Sequence, residues 1–224
     1  MNIYLISGLG ADKRNFQKLD LAPHTCIHLD RIDVRTGEPL QDYAGRLVPF
    51  IDQTQPFALV GVSFGGLVAQ ELSRYVSCRK LIIISSIKTH HERGLLLRLT
   101  DVTALYRLVP TALLMRLNNF MVAWLFGVQR AEERRLLRQI LDDTDPRFVQ
   151  WAVPALLSWR NRVPQPGILH LHGTADRIFP ARGMRNVGLI SGGGHLMVYT
   201  HASHISLQIR AALNDSGAHD ERRN

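Results

Sequence analysis

Residues 57–72 read Phe-Ala-Leu-Val-Gly-Val-Ser-Phe-Gly-Gly-Leu-Val-Ala-Gln-Glu-Leu. Phe57 to Val62 is apolar and β-compatible, and Leu67 to Leu72 suits a helix, so Ser63 stands at a sharp strand-to-helix turn. The turn is also a G-x-S-x-G pattern in the one context that gives the pattern meaning, directly after a buried strand and directly before a helix. A serine held at such a strained turn brings the residues two before and two after it together. Side chains at 61 and 65 would collide there, and a third glycine at 66 lets the helix pack near the sheet. The alternative is an ordinary glycine-rich turn.

Outward from this segment the same rhythm continues in both directions. Asn2 to Ser7 reads as a buried strand ending in the turn Gly8-Leu9-Gly10, with a short polar helix from Asp12. His24 to Leu29 is a second, short strand. Leu40, Tyr43, Leu47, Phe50 and Ile51 recur at helical spacing between Pro39 and Pro56. Lys80 to Ser85 is apolar on both faces, as a strand covered by helices on both sides must be. Ile168 to Leu171 and Val187 to Ile190 supply two more strands, and Ile205, Ile209 and Leu213 mark one face of a last helix. The alternation predicts an α/β fold with a doubly wound, mostly parallel sheet of about six strands. No strand candidate occurs from Lys88 to Val163, where Leu, Arg, Met and Trp124, Trp151 and Trp159 fill several helices interrupted at Pro110, Asp145-Pro146 and Pro154. The expected organisation is a core of residues 1–87 and 164–213, a helical cap insertion at 88–163, and a tail at 214–224 polar enough to be disordered.

Composition narrows the function. The chain has 224 residues, 46% hydrophobic and 21% charged, which suits one soluble globular domain. Two cysteines, Cys26 and Cys78, make no disulfide framework, and a reducing, cytoplasmic compartment is expected. The opening residues lack a basic n-region, so no signal peptide is expected. The longest apolar run, Phe120 to Val128, falls well short of the ~20 residues of a spanning helix. The net charge of +8 is almost wholly an arginine excess, with only Lys13, Lys18, Lys80 and Lys88 as lysines. Those arginines are scattered among acids rather than gathered into a stripe, which argues against nucleic acid and for a solvated surface that attracts anions. Membrane contact through the amphipathic insertion is a lesser alternative to its packing as a cap.

A serine hydroxyl needs a neighbouring imidazole to accept its proton, and that imidazole needs an acceptor on its other nitrogen. Asp176 lies just past the strand at 168–171 and His195 just past the strand at 187–190. Both stand at strand ends where an open parallel sheet places its site. Asp176 has a turn-capping alternative, and Glu92, beyond the strand at 80–85, is the fallback acid that a family resemblance described below implies. His201 and His204 fall in or at the start of the last helix rather than in a glycine turn. His170 and His172 alternate on a strand and read as packed core histidines. His90-His91 lacks a spaced partner for a metal site, and no phosphate or dinucleotide loop is present, so neither metal nor cofactor is expected.

Through Gly8-Leu9-Gly10, Gly61-Val62-Ser63-Phe64-Gly65-Gly66, His172-Gly173-Thr174-Ala175-Asp176-Arg177-Ile178-Phe179-Pro180 and Gly192-Gly193-Gly194-His195, nearly the whole chain resembles the α/β-hydrolase superfamily. Relative to larger members, the chain is expected to lack two leading strands, and the stretch between Asp176 and His195 is short. The resemblance implies Ser63 as nucleophile, His195 as base, Asp176 as its orienting acid, and the backbone N–H groups of Leu9 and Phe64 as the oxyanion hole. Ser7 replaces the histidine that usually precedes the first glycine and shapes that loop. The implied activity is cleavage of a small-molecule carboxylic ester or thioester, its acyl group free or carrier-linked, through an acyl-enzyme. Transfer of the acyl group to another acceptor, or a non-catalytic binding role, are the alternatives, since fold analogy does not settle the reaction. Met115, Met121, Trp124, Trp151 and Trp159 are candidates either to roof an apolar acyl pocket or to form the cap's own core.

Overall fold

Tyr4 and Ile6 point to one side of the first strand and Ile3 and Leu5 to the other, and all four are buried. The same alternation runs through the neighbouring strands, so the sheet needs a helical layer on each face. The computed structural model describes residues 1–94 and 119–220, apart from the side chains of residues 119, 120 and 215–220. Its strands are β1 (Asn2–Ile6), β2 (Thr25–His28), β3 (Phe57–Val62), β4 (Lys80–Ile84), β5 (Leu169–Gly173) and β6 (Gly188–Ile190). They form one six-stranded sheet in the order β2-β1-β3-β4-β5-β6, and every pairing is parallel. The predicted α/β class and doubly covered parallel sheet are therefore what the chain adopts.

One face carries α1 (Leu40–Gly45), α2 (Phe64–Leu72) and a later helix, α5 (Pro146–Ser158). There Tyr4, Leu59, Leu67, Phe148, Trp151 and Trp159 share a single core. The other face packs Ile3, Leu5, Val60, Ile82 and Leu171 against Phe16, Met197, Val198, Ile205, Ile209 and Leu213. The last five of these belong to α6 (Met197–Thr200) and α7 (Ala202–Asp220). A third cluster joins α3 (Asn119–Phe126) and α4 (Ala131–Asp142), through Ala123, Leu136, Leu137 and Ile140, to Ala11 and Leu196 in the loops beyond the strand ends and to Tyr199 of α6. Of the segment 88–163, then, α3 and α4 dock on loops at the C-terminal edge of the sheet, whereas α5 belongs to the main core.

Two expectations are corrected. Pro154 does not interrupt a helix, because it lies inside α5; burial of Phe148, Trp151, Ala152 and Ala155 on the sheet face outweighs the lost backbone bond. Asp145 caps the start of that helix through Arg147 N–H, with Pro146 in the first turn, as the sequence break there suggests. The polar residues after Leu213 are not a disordered tail as far as Asp220, because α7 runs to that residue. A helix seeded by the buried stripe of Ile205, Ile209 and Leu213 extends by local hydrogen bonds that need no apolar face. Among the described residues, no helix is long and apolar enough to cross a membrane.

The turn after β3 is built on close backbone approaches. A Cβ on Gly61 would lie 2.3 Å from the Gly65 carbonyl oxygen, and one on Gly65 would lie 2.3 Å from that of Ile6 at the end of β1. Both neighbours are backbone and cannot step aside. Gly61→Ala and Gly65→Ala are each expected to cost about 3 kcal/mol or more, read as a lowered urea midpoint. A cost under about 1 kcal/mol at either position would contradict this account.

Candidate active site

Ser63 connects β3 to α2 with φ 54° and ψ −123°, a backbone conformation that costs a non-glycine residue on the order of 1–3 kcal/mol. Its amide donates to the Ile84 carbonyl at 2.9 Å, and its carbonyl accepts from Ser86 Oγ at 2.7 Å. The turn is thus held from β4, the next strand. Ser63 Oγ lies 2.8 Å from His195 Nε2, and His195 Nδ1 lies 2.8 Å from Asp176 Oδ2. An ionised carboxylate only accepts, so Nδ1 carries the proton and Nε2 presents its lone pair to the serine hydroxyl. Ser63, Asp176 and His195 come from the loops after β3, β5 and β6, all at one edge of the sheet.

The Asp176 side chain is fully buried. Burial alone would raise its pKa, but the charge and hydrogen bond of His195, with further help from His172 and the Phe179 amide, outweigh that and hold it below the ordinary carboxylate value. Its second oxygen accepts from the amides of Ile178 and Phe179, each at 2.9 Å. The same short loop is tied down from β5: His172 Nε2 lies 2.6 Å from the Phe179 carbonyl and 3.5 Å from Asp176 Oδ2. A carbonyl only accepts, so His172 Nε2 is the donor. Its Nδ1 then accepts from His170 Nε2, 3.2 Å away. His170 and His172 are the packed core histidines that the sequence suggested. The link from His172 to the acid loop is not legible there, although the spacing of four residues before Asp176 is its trace.

Gly8 crosses directly over the elbow, where a Cβ would meet Ser63 Cβ at 3.0 Å. Leu9 follows, and its backbone N–H, like that of Phe64, donates to no acceptor among the described residues. Ser7 Oγ donates to the Ala11 carbonyl at 2.9 Å, closing the Gly8-Leu9-Gly10 turn on itself. His195 is flanked by the rings of Phe126 and Phe179, at 5.3 and 5.6 Å between centroids. The Leu196 amide donates to the Phe126 carbonyl, so α3 is fastened to the histidine turn.

The other sequence candidates lie elsewhere. Glu92 accepts from the Lys88 amide at 2.6 Å and sits 3.7 Å from Lys88 Nζ, while the acid position beside His195 is taken by Asp176. His201 pairs with Thr200, and His90 with the Asn161 carbonyl. Trp151 and Trp159 are buried in the core, bonded to the Glu38 carbonyl and to Glu71. Met121 and Trp124 are exposed, Trp124 beneath the Arg177 guanidinium. Met115 and Pro110 lie outside the described residues. Among the described residues no group of three or more His, Cys, Asp or Glu could hold a metal ion.

A parallel sheet with an acid, an imidazole and a strained serine at one edge defines an α/β hydrolase architecture. Residues 3–212 match the alpha/beta hydrolase family, and the chain belongs to that family. Comparison with curated protein sequences finds no significant match. Among solved structures, the chain is similar to a thermophilic esterase from Thermogutta terrifontis, with a TM-score of 0.73, 18% identity and coverage of 96% of this chain and 90% of that one. It is similar to an esterase from Exiguobacterium antarcticum, with a TM-score of 0.73, 15% identity and coverage of 96% and 92%. It is also similar to a bromoperoxidase from Bacillus anthracis, with a TM-score of 0.68, 19% identity and coverage of 95% and 91%. At these identities the likeness concerns the fold.

The buried histidines give a pH signature. Burial first, and then the charges of His172 and Lys88, push His170 down to about 3, and burial lowers His172 as well. In the unfolded chain a histidine titrates near 6.5. Between about pH 6.5 and 3 the unfolded state therefore binds a proton that folded His170 excludes, and stability falls as pH falls, by about 1.4 kcal/mol per unit. Urea unfolding at pH 7 and pH 5 is expected to show a loss on the order of 2 kcal/mol from this residue. That loss should shrink in His170→Asn, and an unchanged pH dependence in the variant would refute the assignment.

Proposed function

We propose that this protein is a serine hydrolase that cleaves a carboxylic ester or thioester through an acyl-enzyme. The observation that carries the reading is the unbroken hydrogen-bonded chain from Ser63 through His195 to Asp176, beside the Leu9 and Phe64 N–H groups, which are unpaired among the described residues. Ser63 Oγ attacks the carbonyl carbon while its proton passes to His195 Nε2. Asp176, kept ionised at neutral pH, stabilises the imidazolium that forms. The carbonyl oxygen becomes an oxyanion and accepts from Leu9 and Phe64 N–H, groups already in place before the charge develops. His195 then gives its proton to the departing alkoxide or thiolate, leaving an acyl ester on Ser63. Water attacks that ester with His195 again as base, the acid departs, and the proton returns to Ser63.

The esterase descriptions of two similar structures support this choice. With a bromoperoxidase among the other similar structures, the site and not the fold decides the reaction.

Ser63→Ala and His195→Ala are each expected to lower kcat on aryl esters by roughly 10³-fold or more, and Asp176→Asn by about 10⁴-fold through loss of the correct imidazole tautomer. Glu92→Gln should stay within a few-fold of wild type. A fluorophosphonate should label the wild type stoichiometrically and leave Ser63→Ala unlabelled. Near-wild-type ester hydrolysis by Ser63→Ala would overturn the mechanism. Product that appears only as an acylated alcohol or amine would show a transferase instead.

A further inference from the structure

The strand beside β1 on the side away from the elbow is β2, and its continuation is Leu29-Asp30-Arg31. Because the sheet is parallel, this continuation emerges at the same edge as Ser63. It stands two strand spacings away, roughly 10 Å. Arg31 lines a small cavity of about 10 Å³ together with Ser7, Asp30, Tyr43, Phe64 and Phe148. Ser7 begins the turn that carries the Leu9 N–H, and Phe64 carries the other unpaired N–H. The cavity and the place where an oxyanion would form thus share a wall.

The Arg31 guanidinium stands over the Phe148 ring, 5.0 Å from its centroid. Its Nη1 is buried and has no hydrogen-bond partner among the described residues. The neighbouring carboxylates hydrogen-bond to other donors, while Asp12 stays within electrostatic reach of Arg31. Asp12 is 2.6 Å from Arg14, Glu38 is 2.8 Å from Arg46, and Asp30, which lines the same cavity, lies 3.0 Å from His28 Nδ1 and otherwise faces water. A planar guanidinium braced on an aromatic face, with a buried donor unmet, is prepared for a planar anion. The cavity has room for about one oxygen atom, so such an anion sits across the mouth with one oxygen inside.

We infer that Arg31 receives a carboxylate on the substrate, so that the preferred ester or thioester carries a carboxylate in its acyl or its leaving part. This rests on the hydrolase reading and narrows its substrate class. The positive net charge of +8 favours encounter with such anions.

The test compares kcat/KM for matched esters. One pair is 4-nitrophenyl hydrogen adipate against 4-nitrophenyl hexanoate, which places the carboxylate in the acyl part. The other is 3-carboxyphenyl butyrate against phenyl butyrate, which places it in the leaving part. In at least one pair the wild type should favour the anionic member by about tenfold or more, and the pair identifies the side that faces Arg31. That ratio should fall toward one in Arg31→Gln and by less in Arg31→Lys, which keeps the charge and serves if the glutamine variant does not fold. Adipate binding by calorimetry, a readout independent of turnover, should weaken about tenfold in Arg31→Gln. Ratios and adipate affinity unchanged in the variant would overturn the carboxylate site while leaving the hydrolase reading intact. Arg31-dependent adipate binding without ester turnover would keep the site and overturn the hydrolase reading.

Discussion

At the end of β3 three backbone segments meet with no room for a single Cβ: Gly61, Gly65, and the Ile6-Ser7 carbonyls at the end of β1. The strained backbone of Ser63 is the price of that crossing, and the surrounding sheet over-determines it by hydrogen bonds from β4. Because β1 is locked against the elbow, the turn that follows it has one path, across the top of Ser63. Ser7 then closes the turn through the Ala11 carbonyl. The relation between the serine and the Leu9 and Phe64 amides is therefore set by backbone packing rather than by side chains that could drift.

A second constraint is electrostatic. A carboxylate with no solvent exposure is tolerable only when its lone pairs are met, and Asp176 meets this with two amides and His195. Those amides belong to a loop that β5 secures through His172 and the Phe179 carbonyl. Neutral histidines suit this task because a cation in their place would compete with His195 for the carboxylate. Burial holds His170 and His172 below the ordinary histidine value, which keeps them neutral beside that loop.

The arginine excess is distributed in the same spirit. Several cations bridge segments distant in the chain, such as Arg14 to Asp143, Lys18 to Glu132 and Arg210 to Asp20. These pairs are at least partly exposed and contribute little each, but they place the charge around the docking of α4 and α7 rather than in a stripe. Arg93 serves the fold in another way, donating to the carbonyls of Leu157, in the last turn of α5, and of Trp159, just after it. Arg31 differs in standing beside the cavity next to the elbow with a buried nitrogen unmet.

The sequence by itself determined what depends on neighbours along the chain. Apolar runs made the strands legible, to within a residue or two at their ends. The glycines around Ser63 identified the elbow, and strand ends followed by Asp176 and His195 identified the residues that the fold brings to hydrogen-bond distance. Tertiary structure alone decided what depends on contacts between distant segments. Pro154 could stay in a helix only because α5 buries its other face. Trp151 and Trp159 went to the core because the sheet face needed covering. The polar residues to Asp220 continued a helix whose stability came from Ile205, Ile209 and Leu213. The clasp of His172 on the acid loop, and the seat of Arg31 over the Phe148 ring, involve partners brought together by the parallel crossovers. Local pattern carries no record of such pairs, because hydrogen-bond satisfaction is settled only when the segments meet.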